Sequence, residues 1–311
     1  MVTIVTGAAG FVGRAIVTGL LQLDHDVVAV DLTRAPMASP GRFRTVVGDL
    51  GDPGIRADAL ADGCDVLIHL ATVPGGAAEA DPAASRRINI DAMYDLLLEA
   101  SRHARPRVVY ASSIAVLGDP LPAAGVDDAT LLSPRLIYGG HKAMMEIAVA
   151  MLSNRGSIDG VSLRLPGILA RPAGPSGMKS AFMSDIFHAL RAGRRYTCPV
   201  SPQAMIWAES VDCVAANFLH AIGVDASGLP TRAVQLPALH FSIGELVDEV
   251  ANQCGVAPTL IDYAPDAALE AAFGAHPPLR TPCSDALGFA SDGSLAALVE
   301  RALRQLASDP E

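Results

Sequence analysis

The sequence predicts an α/β fold built on a doubly wound parallel sheet, followed by a smaller lobe. Three observations predict it. Short β-branched runs alternate with longer Ala/Leu-rich stretches of helical period through the first half, the pattern of βαβ units whose sheet is covered on both faces. Half of the 311 residues are hydrophobic and 18% are charged, enough apolar material for a large core. After Arg164, Pro and Gly cluster over 165–177 and the later helical stretches are separated by long irregular joins. Residues 1–165 are therefore expected to form the principal domain, and 166–311 mainly the lobe, with some elements returning to the sheet.

The chain enters a strand at once, Val2-Thr3-Ile4-Val5-Thr6. Further strands are expected at 26–31, 44–48, 65–70, 107–112 and 160–165, each a short apolar run rich in β-branched residues. Helices are expected between them at about 11–23, 55–62, 84–103 and 138–153, and in the lobe at about 178–192, 210–222, 242–254 and 294–307, where apolar residues recur at helical spacing. No apolar run approaches the ~20 residues that span a bilayer, so neither a signal peptide nor a transmembrane segment is expected. Nothing repeats at a fixed period.

Net charge excludes some partners. A formal charge of −10 opposes binding to phosphate backbones and anionic membranes, because that affinity comes from Lys and Arg. Cys64, Cys198, Cys213, Cys254 and Cys283 are odd in number and contain no C-x-x-C, so they read as reduced thiols of a cytoplasmic protein. The histidines show no H-E-x-x-H or paired spacing, so no metal is expected.

The first strand runs straight into Thr6-Gly7-Ala8-Ala9-Gly10-Phe11-Val12-Gly13 and a helix. A G-x-x-G-x-x-G in that context supplies a tight turn, close approach to a pyrophosphate and close helix–strand packing, with the helix N-terminus receiving the phosphates. An ordinary glycine turn is the plain alternative. Eighteen residues beyond Gly13 the second strand ends at Asp31, where a carboxylate meets the hydroxyls of an adenosine ribose and repels a 2′-phosphate. The combination points to a Rossmann domain binding NAD rather than NADP. Arg34 is the one neighbour able to soften that preference.

Tyr138-Gly139-Gly140-His141-Lys142 places a phenol and an ammonium four residues apart on one helix face. A nearby cation favours a phenolate, which makes a tyrosine a general base. Lys142 is one of only two lysines in the chain. Upstream, the strand through Ala111 ends in Ser112-Ser113, at the carboxyl edge where ligands bind in such sheets. Ser113, otherwise an ordinary turn former, gains meaning from the Tyr and Lys as a hydroxyl for the reacting oxygen. His141 reads as a helix-surface residue.

These residues resemble the extended short-chain dehydrogenase/reductases, the NAD-dependent epimerase/dehydratase family. Its T-G-x-x-G-x-x-G is met by Thr6–Gly13, its ribose acid by Asp31, and its adenine-side G-D-[LI] by Gly48-Asp49-Leu50. His69-Leu70-Ala71-Thr72, Asn89, Ser112–Gly118 and Tyr138–Lys142 match further motifs along the chain. The resemblance implies catalysis by Ser113, Tyr138 and Lys142. It implies cofactor contacts at Gly7, Gly10, Phe11, Val12, Gly13, Asp31, Asp49, Leu50, Leu70, Ala71, Thr72, Asn89, Ala111, Tyr138, Lys142, Pro166 and Ile168.

Within the family, 159–166, Arg171-Pro172, Cys198-Pro199-Val200, Trp207 and Leu287-Gly288-Phe289 are similar to members that oxidise the C2 hydroxyl of a D-aldonate such as D-erythronate. The substrate implied is a small sugar acid, with Arg171 and Ser180 as candidate contacts. Those members continue with Gly-Lys-Pro-Asn, where this chain has Ala173-Gly174-Pro175-Ser176. Nucleotide-sugar epimerases share the cofactor motifs but carry an Asn where this chain has Gly167. A non-catalytic NAD-binding sensor would lack the Tyr or the Lys. The resemblance also implies a homodimer through helices 84–103 and 138–153, for which Met93, Leu96 and Leu97 on one and Met144, Ile147 and Met151 on the other supply apolar faces.

Overall fold

The computed structural model describes residues 1–34, 42–102, 104–118, 120–172 and 179–308. The departure at Ala173–Ser176 lies outside the described residues. The chain forms two compact units, one of Met1–Val116, Leu132–Leu165 and Ala215–Gln235, the other of Leu117–Leu131, Pro166–Val214 and Leu236–Glu311.

The first unit contains β1 (Val2–Thr6), α1 (Phe11–Gln22), β2 (Asp26–Asp31), β3 (Phe43–Val47), α2 (Pro53–Ala59), β4 (Val66–His69), α3 (Gly75–Ala80), α4 (Pro82–Arg86), α5 (Met93–Ala100), β5 (Arg107–Ser113), α6 (Ile137–Asn154) and β6 (Asp159–Leu165). Its parallel seven-stranded sheet runs in the order Ala233–Gln235, β6, β5, β4, β1, β2, β3. The six strands expected from sequence are all present within two residues. The seventh, Ala233–Gln235, pairs with Ser162–Arg164 and escaped notice because three residues carry no readable alternation. The order reverses beside β1, so the carboxyl ends of β1 and β4 flank the crevice where such sheets take ligands.

Both faces of the sheet are dry. Ile4, Val28, Val30, Leu67, Val108 and Leu152 form a core with Met93, Leu96 and Leu97, all buried. At roughly 1.5–3 kcal/mol for each large apolar side chain buried, this packing holds the helices to the sheet. It also corrects the expectation for Met93, Leu96 and Leu97, whose face packs inward and is unavailable to another subunit.

The expected helix 84–103 is three pieces. Between α4 and α5 the chain makes a wide π-turn over Arg87–Ala92, a widening frequent at functional sites. Asn89 sits inside it, only 3% exposed. A 3.6-residue pattern reads straight through such a turn, which is why the sequence showed one helix.

In the second unit, helices Phe182–Arg191, Ile243–Cys254 and Leu295–Ser308 enclose a core that includes Phe187, Ile206, Leu246 and Leu298. Ser242 and Glu245 form a reciprocal capping box that starts the second of these, and Gly255 ends it in the left-handed conformation. Trp207 is buried, and its indole N–H donates to the Pro277 carbonyl at 2.7 Å. The five cysteines are free. Among the described residues no helix is long and apolar enough to cross a membrane.

Candidate active site

The glycine turn joins β1 to α1 with little room to spare. A side chain at Gly13 would overlap the Gly7 carbonyl and press on Ala8, so α1 can begin this close to β1 only with glycine there. Gly10, at the N-cap of α1, gives no side-chain cap, and no acid stands in the first turn. Among the described residues neither an N-cap side chain nor a first-turn acid serves the amides of Phe11 and Val12 at this positive helix end, the arrangement that receives a phosphate. Asp31 ends β2 beside this turn. Its Oδ2 accepts from the Ala9 N–H at 3.0 Å and its Oδ1 from the Thr33 N–H at 3.2 Å, so the turn itself orients the carboxylate.

Asp49 follows β3. It accepts from the Gly51 amide at 2.8 Å and pairs with Arg87 at 2.9 Å, and these contacts, the amide first, hold its carboxyl below the usual range. Leu50 instead packs into the core, its carbonyl accepting from Arg56 at 2.8 Å.

After β4, Leu70, Ala71 and Thr72 are half-buried. The amides of Leu70 and Ala71 both donate to Thr6 Oγ1 at 3.3 Å, and that hydroxyl lies 2.9 Å from His69 Nδ1. The Leu70 amide is shared with the Thr6 carbonyl at 3.0 Å, so this hydroxyl ties the end of β1 to the segment after β4 and to His69. Burial holds His69 down to about 3, with the Lys142 charge adding to the effect.

Ser113, Tyr138 and Lys142 all lie in the first unit, Lys142 beside Tyr138 and bonded to Ala111, two residues before Ser113. Ser113 ends β5, half-buried, with Oγ accepting from the Ala115 N–H at 3.2 Å. Glu79 accepts from the Ile137 N–H at 2.7 Å, an anion at the N-terminus of α6 that fixes the turn carrying Tyr138. One turn on, Lys142 is 2% exposed. Its ammonium donates to the Ala111 carbonyl at 2.7 Å and lies 4.9 Å from the Tyr110 ring and 5.5 Å from the Tyr138 ring. Burial draws Lys142 down to about 7 and Glu146 opposes the fall. A buried cation beside a phenol favours the phenolate.

Pro166, Ile168, Arg171 and Ser180 belong to the second unit. Pro166 and Ile168 are buried, Ile168 lying in a short strand paired with Ala208–Glu209. Arg171 is half-exposed. Its Nε donates to the Ile168 carbonyl at 3.2 Å, its backbone N–H to Ser184 Oγ at 3.1 Å, and its own carbonyl lies 2.8 Å from His188 Nε2. Ser180 stands in a single 3-10 turn, Lys179–Ala181, ahead of the helix that was expected to begin at 178.

A profile of the NAD dependent epimerase/dehydratase family matches residues 3–221. The chain belongs to that family. D-erythronate dehydrogenase of Cupriavidus necator is 35% identical over 310 residues, covering 94% of this chain and 95% of its own. D-erythronate dehydrogenase of Haemophilus influenzae is 31% identical over 268 residues, covering 83% and 84%. The crystal structure of a nucleoside-diphosphate-sugar epimerase from Agrobacterium tumefaciens superposes with a TM-score of 0.89 at 29% identity, over 98% of this chain and 94% of that one.

As a member of this family the protein uses NAD, and it is an oxidoreductase acting on a CH–OH group. The residues fit the cofactor: an uncapped helix end for the pyrophosphate and, beside it, an oriented carboxylate for the ribose. With a carboxylate at the end of β2, the position from which such folds meet the adenosine ribose, NAD is expected to bind more tightly than NADP by about 1–3 kcal/mol. Asp31→Ser should remove most of that gap in a fluorescence titration of NADH against NADPH. An unchanged ratio would remove Asp31 as the discriminator.

Two features of the site were missed in the sequence. His141 is buried, not on the helix surface, its Nδ1 lying 3.0 Å from Ser85 Oγ. Glu146, 3% exposed, binds Arg164 through two contacts of 2.8 and 3.0 Å and accepts from Ser112 Oγ at 2.5 Å. Their only sequence signal was spacing: Glu146 stands at Lys142+4, the same helix face.

Proposed function

We propose that the protein oxidises the C2 hydroxyl of a small D-aldonate, D-erythronate being the first to test, to the 2-oxo acid. The observation that supports this reading is a buried Lys142 that lies 5.5 Å from the Tyr138 ring and bonds to the Ala111 carbonyl, two residues before Ser113 at the end of β5, in a chain similar over nearly its whole length to a D-erythronate dehydrogenase. Ser113 orients the substrate hydroxyl by hydrogen bonding. Tyr138, as phenolate, takes the hydroxyl proton while the C2–H bond breaks. Lys142 supplies the positive charge that favours the phenolate, and its bond to the Ala111 carbonyl fixes where that charge sits. NAD, when bound, supplies the acceptor for the hydride. Arg171 and Ser180 are the candidate anchors for the substrate carboxylate, Arg171 by bidentate pairing.

Incubation with D-erythronate and NAD should give NADH absorbance together with a 2-oxo acid trappable by a hydrazine. If no aldonate or uronate reacts while a nucleotide sugar is interconverted, the protein is an epimerase.

The protein acts as a homodimer in the cytoplasm. The dimer reading is supported by α6, on which Met144, Ile147 and Met151 remain 48%, 65% and 40% exposed, joined by Leu98 of α5 at 39%. Exposed apolar side chains at helical spacing are the material of a helix-bundle interface. Light scattering should show a dimer at micromolar concentration and Ile147→Asp should give the monomer. A monomeric wild type would refute the reading.

A further inference from the structure

His141 stands between Tyr138 and Lys142 in sequence, yet the mechanism above gives it no task. Its contacts form a chain with one direction. The amide of Asn89 pairs with the Val73 peptide, Oδ1 accepting from the Val73 N–H at 2.7 Å and Nδ2 donating to the Val73 carbonyl at 3.0 Å. That pairing fixes which end of the amide is oxygen. Oδ1 also accepts from Thr72 Oγ1 at 3.1 Å, and the second N–H of Nδ2 donates to Ser85 Oγ at 3.1 Å. All four hydrogen-bonding sites of Asn89 are then used. Ser85 is buried, accepts from Asn89 and lies 3.0 Å from His141 Nδ1, the polar atom in reach of its own proton. With the Ser85 proton in that bond, His141 is the acceptor, neutral with its own proton on Nε2.

We propose that His141 is a positioning residue: as the neutral acceptor ending the chain from Thr72 and Val73 through Asn89 and Ser85, it ties the cofactor-side segment after β4 to the helix that carries Tyr138 and Lys142. The proposal rests on the reading of those two residues and of segment 70–72 as the NAD site. Protonating His141 would put a proton on Nδ1, reverse that bond and leave the Ser85 proton without its acceptor. Burial works against that cation, while Asp91 on the π-turn and Glu79 on α3 favour it, the balance lying below the ordinary histidine value. Asp91 is itself paired with Arg86 at 3.6 Å, and Tyr138, Lys142 and Glu146 are the other titratable residues of α6.

The test is NADH affinity, read by fluorescence titration of the purified full-length protein across pH 5 to 8. Asn places Oδ1 as many bonds from Cα as Nδ1 of histidine, so His141→Asn keeps the acceptor and cannot be protonated. His141→Leu removes the acceptor, leaving a buried hydroxyl unsatisfied. At pH 7.5, His141→Leu should raise the dissociation constant for NADH about tenfold, and His141→Asn should stay within about twofold of wild type. In wild type the affinity should fall as pH drops below 6.5, and that fall should be absent in His141→Asn. Adding Ser85→Ala to His141→Leu should cost no further affinity, since both break one chain.

Wild-type affinity in His141→Leu, or stability lost there without affinity, would overturn the proposal. So would an acid fall shared by wild type and His141→Asn, a comparison that decides the matter even if the Leu variant does not fold. Failure of the underlying site reading shows elsewhere, as full turnover in Tyr138→Phe, which leaves these binding measurements untouched.

Discussion

Tyr138→Phe is expected to lower kcat by about 10²–10⁴, the range for loss of one acid–base group. The ring stays, so its packing at the start of α6 is kept and NADH affinity should change little. Only the oxygen that takes the substrate proton is removed. Lys142→Met should cost both turnover and NADH affinity, because it deletes the buried cation and leaves the Ala111 carbonyl without its 2.7 Å donor. The contrast between the two variants separates proton transfer from cofactor binding. Near-normal turnover in Tyr138→Phe would refute the proposed mechanism.

What could be read from the sequence depended on how local its cause was. The positions of β1 to β6 followed from alternation, since each strand is one consecutive apolar run rich in β-branched residues. The glycine turn was legible because its three glycines and the strand before it are adjacent, and the link between Ala9 and Asp31 is the tertiary consequence of a spacing already visible. Met93, Leu96 and Leu97 show the limit of periodicity. A helix face that packs on a sheet and one that packs on another subunit have the same pattern, and only burial tells them apart. His141 and the π-turn were hidden for a related reason: a histidine on a helix gains meaning from Ser85, 56 residues away.

Glu146 and Arg164 were hidden too, because a carboxylate at i+4 from a lysine reads as a solvated pair. The structure buries both, at 3% and 6% exposure. A buried pair of this kind gives little net stability, but breaking it strands a charge. Arg164→Met alone should therefore destabilise the protein by about 3–5 kcal/mol. Adding Glu146→Met removes the stranded carboxylate, and adding Ser112→Ala removes the hydroxyl that pointed at it, so the triple variant should regain most of that loss in denaturant unfolding. Function should not return with stability. Glu146 opposes the effect of burial on Lys142, so without it the Lys142 pKa falls further below about 7 and less of the ammonium is charged at neutral pH. Turnover that needs this cation should then drop at pH 7, and the pH at which Lys142 loses its charge should move to the acid side of the wild-type value. A triple variant with restored stability and an unshifted pH profile would show that Glu146 serves the fold alone.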